Sequence, residues 1–189
     1  MRSCSTSSGG RTGCSALAVV VLLALAGCGG GDAAKAPEAR DVIALRSPAF
    51  ADGATIPTRY TCASVGKSPP LAWAGVPAEA KELALVVIDP DAPSGGFVHW
   101  VLFHLAPGLH RLPAGGVPDA AREAVNSAGR NAWAPPCPPK GDKPHHYEFT
   151  LYALHAPLAQ DDGAKAEDVI AAIGEHALAR GRLVGRFAR

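Results

Sequence analysis

Leu83–Leu105 reads LALVVIDPDAPSGGFVHWVLFHL. Leu83–Ile88 is apolar at every position, the pattern of a strand buried on both faces. Asp89-Pro90-Asp91-Ala92-Pro93 ends it, because a proline nitrogen has no hydrogen to give a ladder. Val98–Leu105 is a second strand. Period-two alternation puts His99, Val101, Phe103 and Leu105 on one face and Trp100, Leu102 and His104 on the other. A core built from such strands points to a mainly β fold.

The rest of the chain agrees. Asp41–Phe50 reads as a first strand with its exit, and Asp52-Gly53 as a turn. Ile56–Cys62 is extended or a short strand. Ser68-Pro69-Pro70 leads into Leu71-Ala72-Trp73, and Gly75-Val76-Pro77 marks the next turn. Pro107–Arg130 is irregular. Tyr147–Leu154 is a further strand, in which His145 and Tyr147 share one parity and His146 and Glu148 the other. Ala166, Val169, Ile170, Ile173 and Ala177 follow helical spacing, so Lys165–Ala179 is predicted as a helix with one stripe against a sheet. Gly181 is its predicted stop, and Arg182–Phe187 a last short strand. With 21 Gly and 17 Pro in 189 residues, a loop-rich β fold is favoured over a helical bundle.

Hydrophobic residues make up 48% and charged residues 19%, with a formal net charge of +1. Those are globular values. Without a basic stripe or interleaved aromatics, nucleic-acid binding is not expected. Residues 1–27 read as an export signal. Arg2 and Arg11 are its basic region, and Ala16–Ala26 is an apolar run too short for a comfortable membrane span. Leu25-Ala26-Gly27-Cys28 has the form of a bacterial lipobox, which makes Cys28 the lipidated first residue of the mature chain; an ordinary signal peptide cut nearby is the alternative. Residues 28–40 are then a flexible tether, and 41–189 a single domain. Gly29 stands where an aspartate would favour inner-membrane retention. The expected location is therefore a cell-envelope lipoprotein, in the outer membrane facing the periplasm if the source is Gram-negative. Cys62 and Cys137 remain in the domain, either as a disulfide, as export permits, or as packing residues.

Ala134–Leu154, APPCPPKGDKPHHYEFTLYAL, brings a paired histidine and a tyrosine to a strand start. Asp89 and Asp91 end one apolar strand, and His99 lies in another. Singly these are turn aspartates and a core histidine. Together they make a polar pocket in an apolar wall, the general form of a ligand site. A metal centre needs three or four converging ligands, but strand parity separates His145 from His146. No Gly-x-Ser-x-Gly elbow is present. Catalysis, a metal and a cofactor are therefore not expected.

The motifs Asp89-Pro90-Asp91-Ala92-Pro93, His99-Trp100, Pro136-Cys137-Pro138-Pro139-Lys140-Gly141 and His145-His146-Tyr147 resemble the phosphatidylethanolamine-binding protein family, in its bacterial Raf-kinase-inhibitor-like branch. Tyr60-Thr61-Cys62, Ser68-Pro69-Pro70-Leu71, Trp73 and Gly181-Arg182-Leu183-Val184-Gly185 extend the likeness from about Val42 to the C-terminus. The resemblance implies an antiparallel β-sandwich with a C-terminal helix. It also implies a small pocket for phosphate or phospholipid head groups, walled by Asp89, Asp91, His99, Pro139, His145 and Tyr147, with Trp133 and Pro138 at the rim. In that reading His99, His145 and Tyr147 donate hydrogens to a phosphoryl oxygen, and Asp89 orients or protonates a histidine, or binds an amine on the ligand. The implied function is a membrane-tethered binding protein that is not an enzyme. The alternative is a regulatory module, such as a protease inhibitor or a binder of an envelope partner, using the same pocket. One loop departs from the branch: Asn126-Ser127-Ala128-Gly129 and Ala132-Trp133-Ala134-Pro135 replace more glycine-rich motifs. His146 stands where an arginine is frequent, which removes a permanent charge near the mouth.

Overall fold

The computed structural model describes residues 34–93 and 95–189. The export signal, Cys28 and the first part of the expected tether lie outside them. The described chain runs β1 (Arg40–Asp41), β2 (Ala44–Arg46), a 3-10 turn (Thr58–Tyr60), β3 (Leu71–Ala74), β4 (Glu82–Asp89), β5 (Phe97–Leu105), β6 (Arg111–Leu112), β7 (Arg122–Glu123), β8 (His145–Leu154), α1 (Ala166–His176) and β9 (Ala177–Phe187). A six-stranded sheet has the order β1-β9-β8-β4-β5-β7, and a three-stranded sheet the order β2-β3-β6.

The large sheet is apolar on both faces because it packs on both. Leu83, Leu85 and Val87 of β4 join Trp73 and Leu112 of the small sheet in one core. Ala84, Val86 and Ile88 join Val169 and Ile173 of α1 in a second core. Every β4 residue is buried, which accounts for the unbroken run Leu83–Ile88. Each large aliphatic side chain so buried stabilises the fold by about 1.5–3 kcal/mol.

Strand β5 departs from simple alternation. Val87 pairs with Trp100 but Ile88 with Val98, so His99 is an extra residue. A second shift lies between the pairs Leu85–Leu102 and Leu83–Leu105. Val101 and Phe103 face α1, whereas Leu105 has crossed to the Trp100 and Leu102 face. The expected grouping of His99, Val101, Phe103 and Leu105 is therefore wrong, because each bulge resets the parity. His104, in the second bulge, has a φ of 57°. The buried carboxylate of Glu82 holds it there, accepting from the His104 backbone N–H at 3.0 Å and its ring Nδ1–H at 2.9 Å.

The C-terminal reading is also corrected. The helix ends at His176, and Ala177 begins an eleven-residue strand paired along the whole of β8. Ten cross-strand pairs, from Leu154–Ala177 to His145–Phe187, outweigh local helical spacing. Gly181 is not a helix stop but an interior residue of β9. A Cβ there would overlap the Ile43 carbonyl oxygen, where the N-terminal segment crosses and Val42 and Ile43 both donate to Arg180 O at 3.0 Å. Ile56–Cys62 holds a 3-10 turn rather than a strand. The last residues assigned to the tether pack on the domain: Pro37 O accepts from Tyr152 Oη at 2.8 Å and Arg180 Nη1 at 3.1 Å.

Candidate functional site

Three strand features meet at one edge of the large sheet. Asp89 is the last residue of β4, and Pro90 ends that strand. His145 is the first residue of β8, next to β4. His99 sits in the first bulge of β5, on the other side of β4. Between them and the loop 126–139 lies a cavity of about 500 Å³, lined by Asp89, His99, His145, Arg130, Pro138 and Pro139, among others, and by the Cys62–Cys137 disulfide.

Asp89 is buried and fully engaged. Its Oδ1 accepts from the Asp91 backbone N–H at 2.9 Å, and its Oδ2 accepts from His145 Nδ1 at 2.7 Å. The carboxylate thus fixes the His145 ring and leaves Nε2 as the edge not bound to Asp89. His99 is held differently: its Nδ1 lies 2.7 Å from Ala134 O. A carbonyl only accepts, so Nδ1 carries the hydrogen. Burial pushes the His99 imidazole below the ordinary histidine value, outweighing the opposite pull of Ala134 O and Asp89. His99 is therefore neutral at pH 7, and its Nε2 presents a lone pair. This reverses the expectation that His99 donates to a bound anion.

The loop is built around Asn126. Its Nδ2 donates to Ala132 O at 2.6 Å and His99 O at 3.3 Å, and its Oδ1 accepts from the backbone N–H groups of Ala128 and Arg130. Ala134 N donates to His99 O at 3.0 Å, so loop and bulge are joined in both directions. On the other side, Cys62 N donates to Pro136 O at 3.0 Å beside the disulfide. Proline-rich backbone tied at both ends is a pre-organised rim.

Other expected residues are placed elsewhere. Asp91 is not in the cavity wall: its Oδ2 accepts from both the backbone N–H and the ring Nδ1–H of His146, each at 2.7 Å. Burial alone would raise the Asp91 carboxyl, but the two His146 hydrogens hold it below the usual range. Tyr147 shares the side of His145, as parity requires, but lies two residues deeper and is 0% exposed. Its ring supports His99 edge-on at 5.2 Å. Its hydroxyl is sealed from solvent and has no partner among the described residues; burial, then Asp89 and Asp91, push the phenol upward. Trp133 is not a rim residue either. It stacks on Phe149 at 6.1 Å and meets Trp100 edge-on at 5.7 Å, because an indole gains more from the core than from the mouth. Arg130 was not singled out from the sequence. It stands alone among small residues, and only the Asn126-centred turn shows that it reaches the cavity. Among the described residues no three His, Cys, Asp or Glu side chains converge as a metal site.

The sequence profile described as phosphatidylethanolamine-binding protein matches residues 46–188. The chain belongs to that family. A phosphatidylethanolamine-binding protein homologue from Chlamydia trachomatis has the same fold, with a TM-score of 0.74 and 38% identity over 79% of this chain and 99% of its own. E. coli YbcL, described as a member of the mammalian family, is also similar (TM-score 0.74, 28% identity, 78% of this chain and 99% of its own). A candidate lipoprotein of Mycobacterium tuberculosis, LppC, is 39% identical over 99% of both chains. A UPF0098 protein from Methanothermobacter thermautotrophicus is 45% identical over 77% of this chain and 98% of its own. The match to LppC spans the N-terminal region, whereas the archaeal and structural relatives match only a domain-sized part of the chain. The chain is thus a phosphatidylethanolamine-binding-protein-type β-sandwich.

Proposed function

We propose that this chain is a membrane-tethered binding protein of the cell envelope, without enzymatic activity, whose cavity takes a small oxoanion of the phosphate class. One observation carries the reading: a preformed cavity at the strand ends is lined by Arg130, its one permanent cation among the described lining residues, and is walled by two histidine rings held fixed by Ala134 O and Asp89. An exposed guanidinium attracts an anion and can bind it in a fork. Rigid proline walls reduce the ordering entropy lost on binding. The two cysteines of the wall, Cys62 and Cys137, are joined to each other.

Tethering through Cys28 is supported by the lipobox and by the full-length match to a candidate lipoprotein. Gly29 favours the outer membrane, facing the periplasm, in a Gram-negative cell. The test is titration of the full chain in detergent with inorganic phosphate, phosphoethanolamine and short-chain phospholipids, followed by calorimetry and by NMR of the histidine rings. Saturable binding that moves His99 and His145 signals is the expected result. No saturable binding of any of the three refutes the reading. An intact mass with acyl groups on Cys28 checks the anchor.

A further inference from the structure

Residues 34–40 read as tether in the sequence, yet with Asp41 they lie bound along the domain. Arg40 and Asp41 pair with Ala179 and Arg180 of β9. Asp41 Oδ1 accepts from Arg180 Nε at 2.8 Å, and Glu38 Oε2 lies 2.8 Å from Arg180 Nη1. Pro37 O accepts from Tyr152 Oη, and the Pro37 ring stands beside Gly174 of α1. Lys35, Ala36 and Glu38 line a groove with Glu148, Thr150 and Arg182. Ala34 reaches Gly96, where a Cβ would stand 2.9 Å from Ala34 O. From Asp41 back to Ala34 the contacts therefore advance along β8, from Tyr152 to Thr150 and Glu148, towards the strand end that carries His145. The segment is a strap on the α1 face of the large sheet. It ends on the β4–β5 hairpin, whose Ala92, Pro93 and Phe97 line the cavity.

We propose that this strap decides which end of the domain meets the membrane: the cavity end is kept next to the bilayer that holds the anchor, and the opposite end points away. The inference rests on lipidation of Cys28 and goes beyond it. Six residue steps separate Cys28 from Ala34, a reach of about 20 Å at full extension. With the strap released the reach would run to Asp41 and be roughly 45 Å. Strand β8 has ten residues and spans roughly 30 Å. The end of the sheet away from the cavity carries Gly75, Pro107 and Gly108. A domain standing on that end would hold Ala34 about 30 Å above the surface. The shorter reach cannot cover that height, whereas the longer one can. Chain length selects the orientation, so no particular lipid is required. The partner is the surface of the anchoring bilayer, and the cavity opens into the layer beside it instead of bulk solvent.

The test measures height above the bilayer at the two ends. The full acylated chain is placed in phosphatidylcholine vesicles with an energy-transfer acceptor on the head groups. A donor dye is attached at the cavity end through Lys143→Cys, beside the start of β8, or at the far end through Gly108→Cys. Both positions are exposed, and the native Cys62 and Cys137 are joined. Transfer should be severalfold more efficient from Lys143→Cys, because the two heights differ by roughly 30 Å. About twelve Gly and Ser residues inserted after Gly31 add flexible reach and should bring the two labels to equal transfer. Equal transfer without the insertion overturns the proposal, as does stronger transfer from Gly108→Cys. A difference that survives the insertion assigns the orientation to an affinity of the surface and overturns the role of the strap. Intact mass separates this inference from the reading beneath it. An acylated chain with equal transfer overturns the orientation alone. A chain without acyl groups on Cys28 overturns the anchor and the orientation together.

Discussion

Replacing both cysteines of the rim, Cys62→Ala with Cys137→Ala, isolates what the disulfide does for fold and cavity. The bridge closes a loop spanning a sequence separation of 75. The chain-entropy relation for a loop of that length gives about 4 kcal/mol of stabilisation through the unfolded state. In a domain of this size, 1 kcal/mol moves the melting temperature by roughly 2–4 °C, so a drop on the order of 10–15 °C is expected. The opened loop makes the unfolded chain more expanded, so the urea m-value should rise. Urea unfolding followed by tryptophan fluorescence measures both. Trp100 and Trp133 make an edge-on pair directly behind the cavity, so the same signal reports whether the native site is intact. The folded variant should keep the hydrogen bond from Cys62 N to Pro136 O, and with it most of the cavity. A loss below about 1 kcal/mol with an unchanged m-value would refute the entropy argument and show that the unfolded chain already holds the rim near the 3-10 turn.

Three further outcomes follow from single residues. His99 should titrate below the ordinary histidine value in an NMR pH series. Between that lowered value and the ordinary one near 6.5, the unfolded chain binds more protons than the native one. Stability should therefore fall as pH drops below about 6.5 and hold at neutral pH; a His99 signal that titrates above 6.5 would be incompatible with its burial and tautomer. Arg130→Ala should weaken phosphate binding about three- to tenfold, more at low salt than at high. Melting should shift little, because the residue is exposed. Gly181→Ala should destabilise by roughly 1–3 kcal/mol in urea, since the methyl group displaces the Ile43 carbonyl and nothing there is flexible enough to yield cheaply.

Strand existence was legible wherever burial was complete. Leu83–Ile88 has one physical explanation, a strand between two cores, and β4 packs on both. Strand phase was not legible in β5. Nothing in VHWVLFHL marks a bulge, as there is no Gly or Pro; both shifts are set by partners distant in sequence, the loop at Asn126 and the carboxylate of Glu82. The helix end failed for a related reason. Ala177 fits the helical stripe, but it also pairs with Leu154, and a ladder along the whole of β8 outweighs three more helical residues. Gly181 follows a helical stripe and so reads as a helix stop, because close passage of another backbone leaves no local signature.

The site shows the same division between direction and depth. Parity along β8 correctly set His145 and Tyr147 on one side and His146 on the other. Parity says nothing about how far along the strand the cavity extends, so Tyr147 was counted in the wall when it lies behind His99. Residue type was also a weak guide to hydrogen-bonding role. A histidine near a phosphate-type pocket reads as a donor until its other nitrogen is located, and here Ala134 O takes the only ring hydrogen of His99. Ala134 stands in the loop 126–139 that lines the cavity. That loop uses Asn126 to hold Ala132 and Arg130 in place, turns Ala134 O onto the ring, and brings a cation to the mouth. One segment thus determines both the proton position on the histidine and the positive charge at the rim.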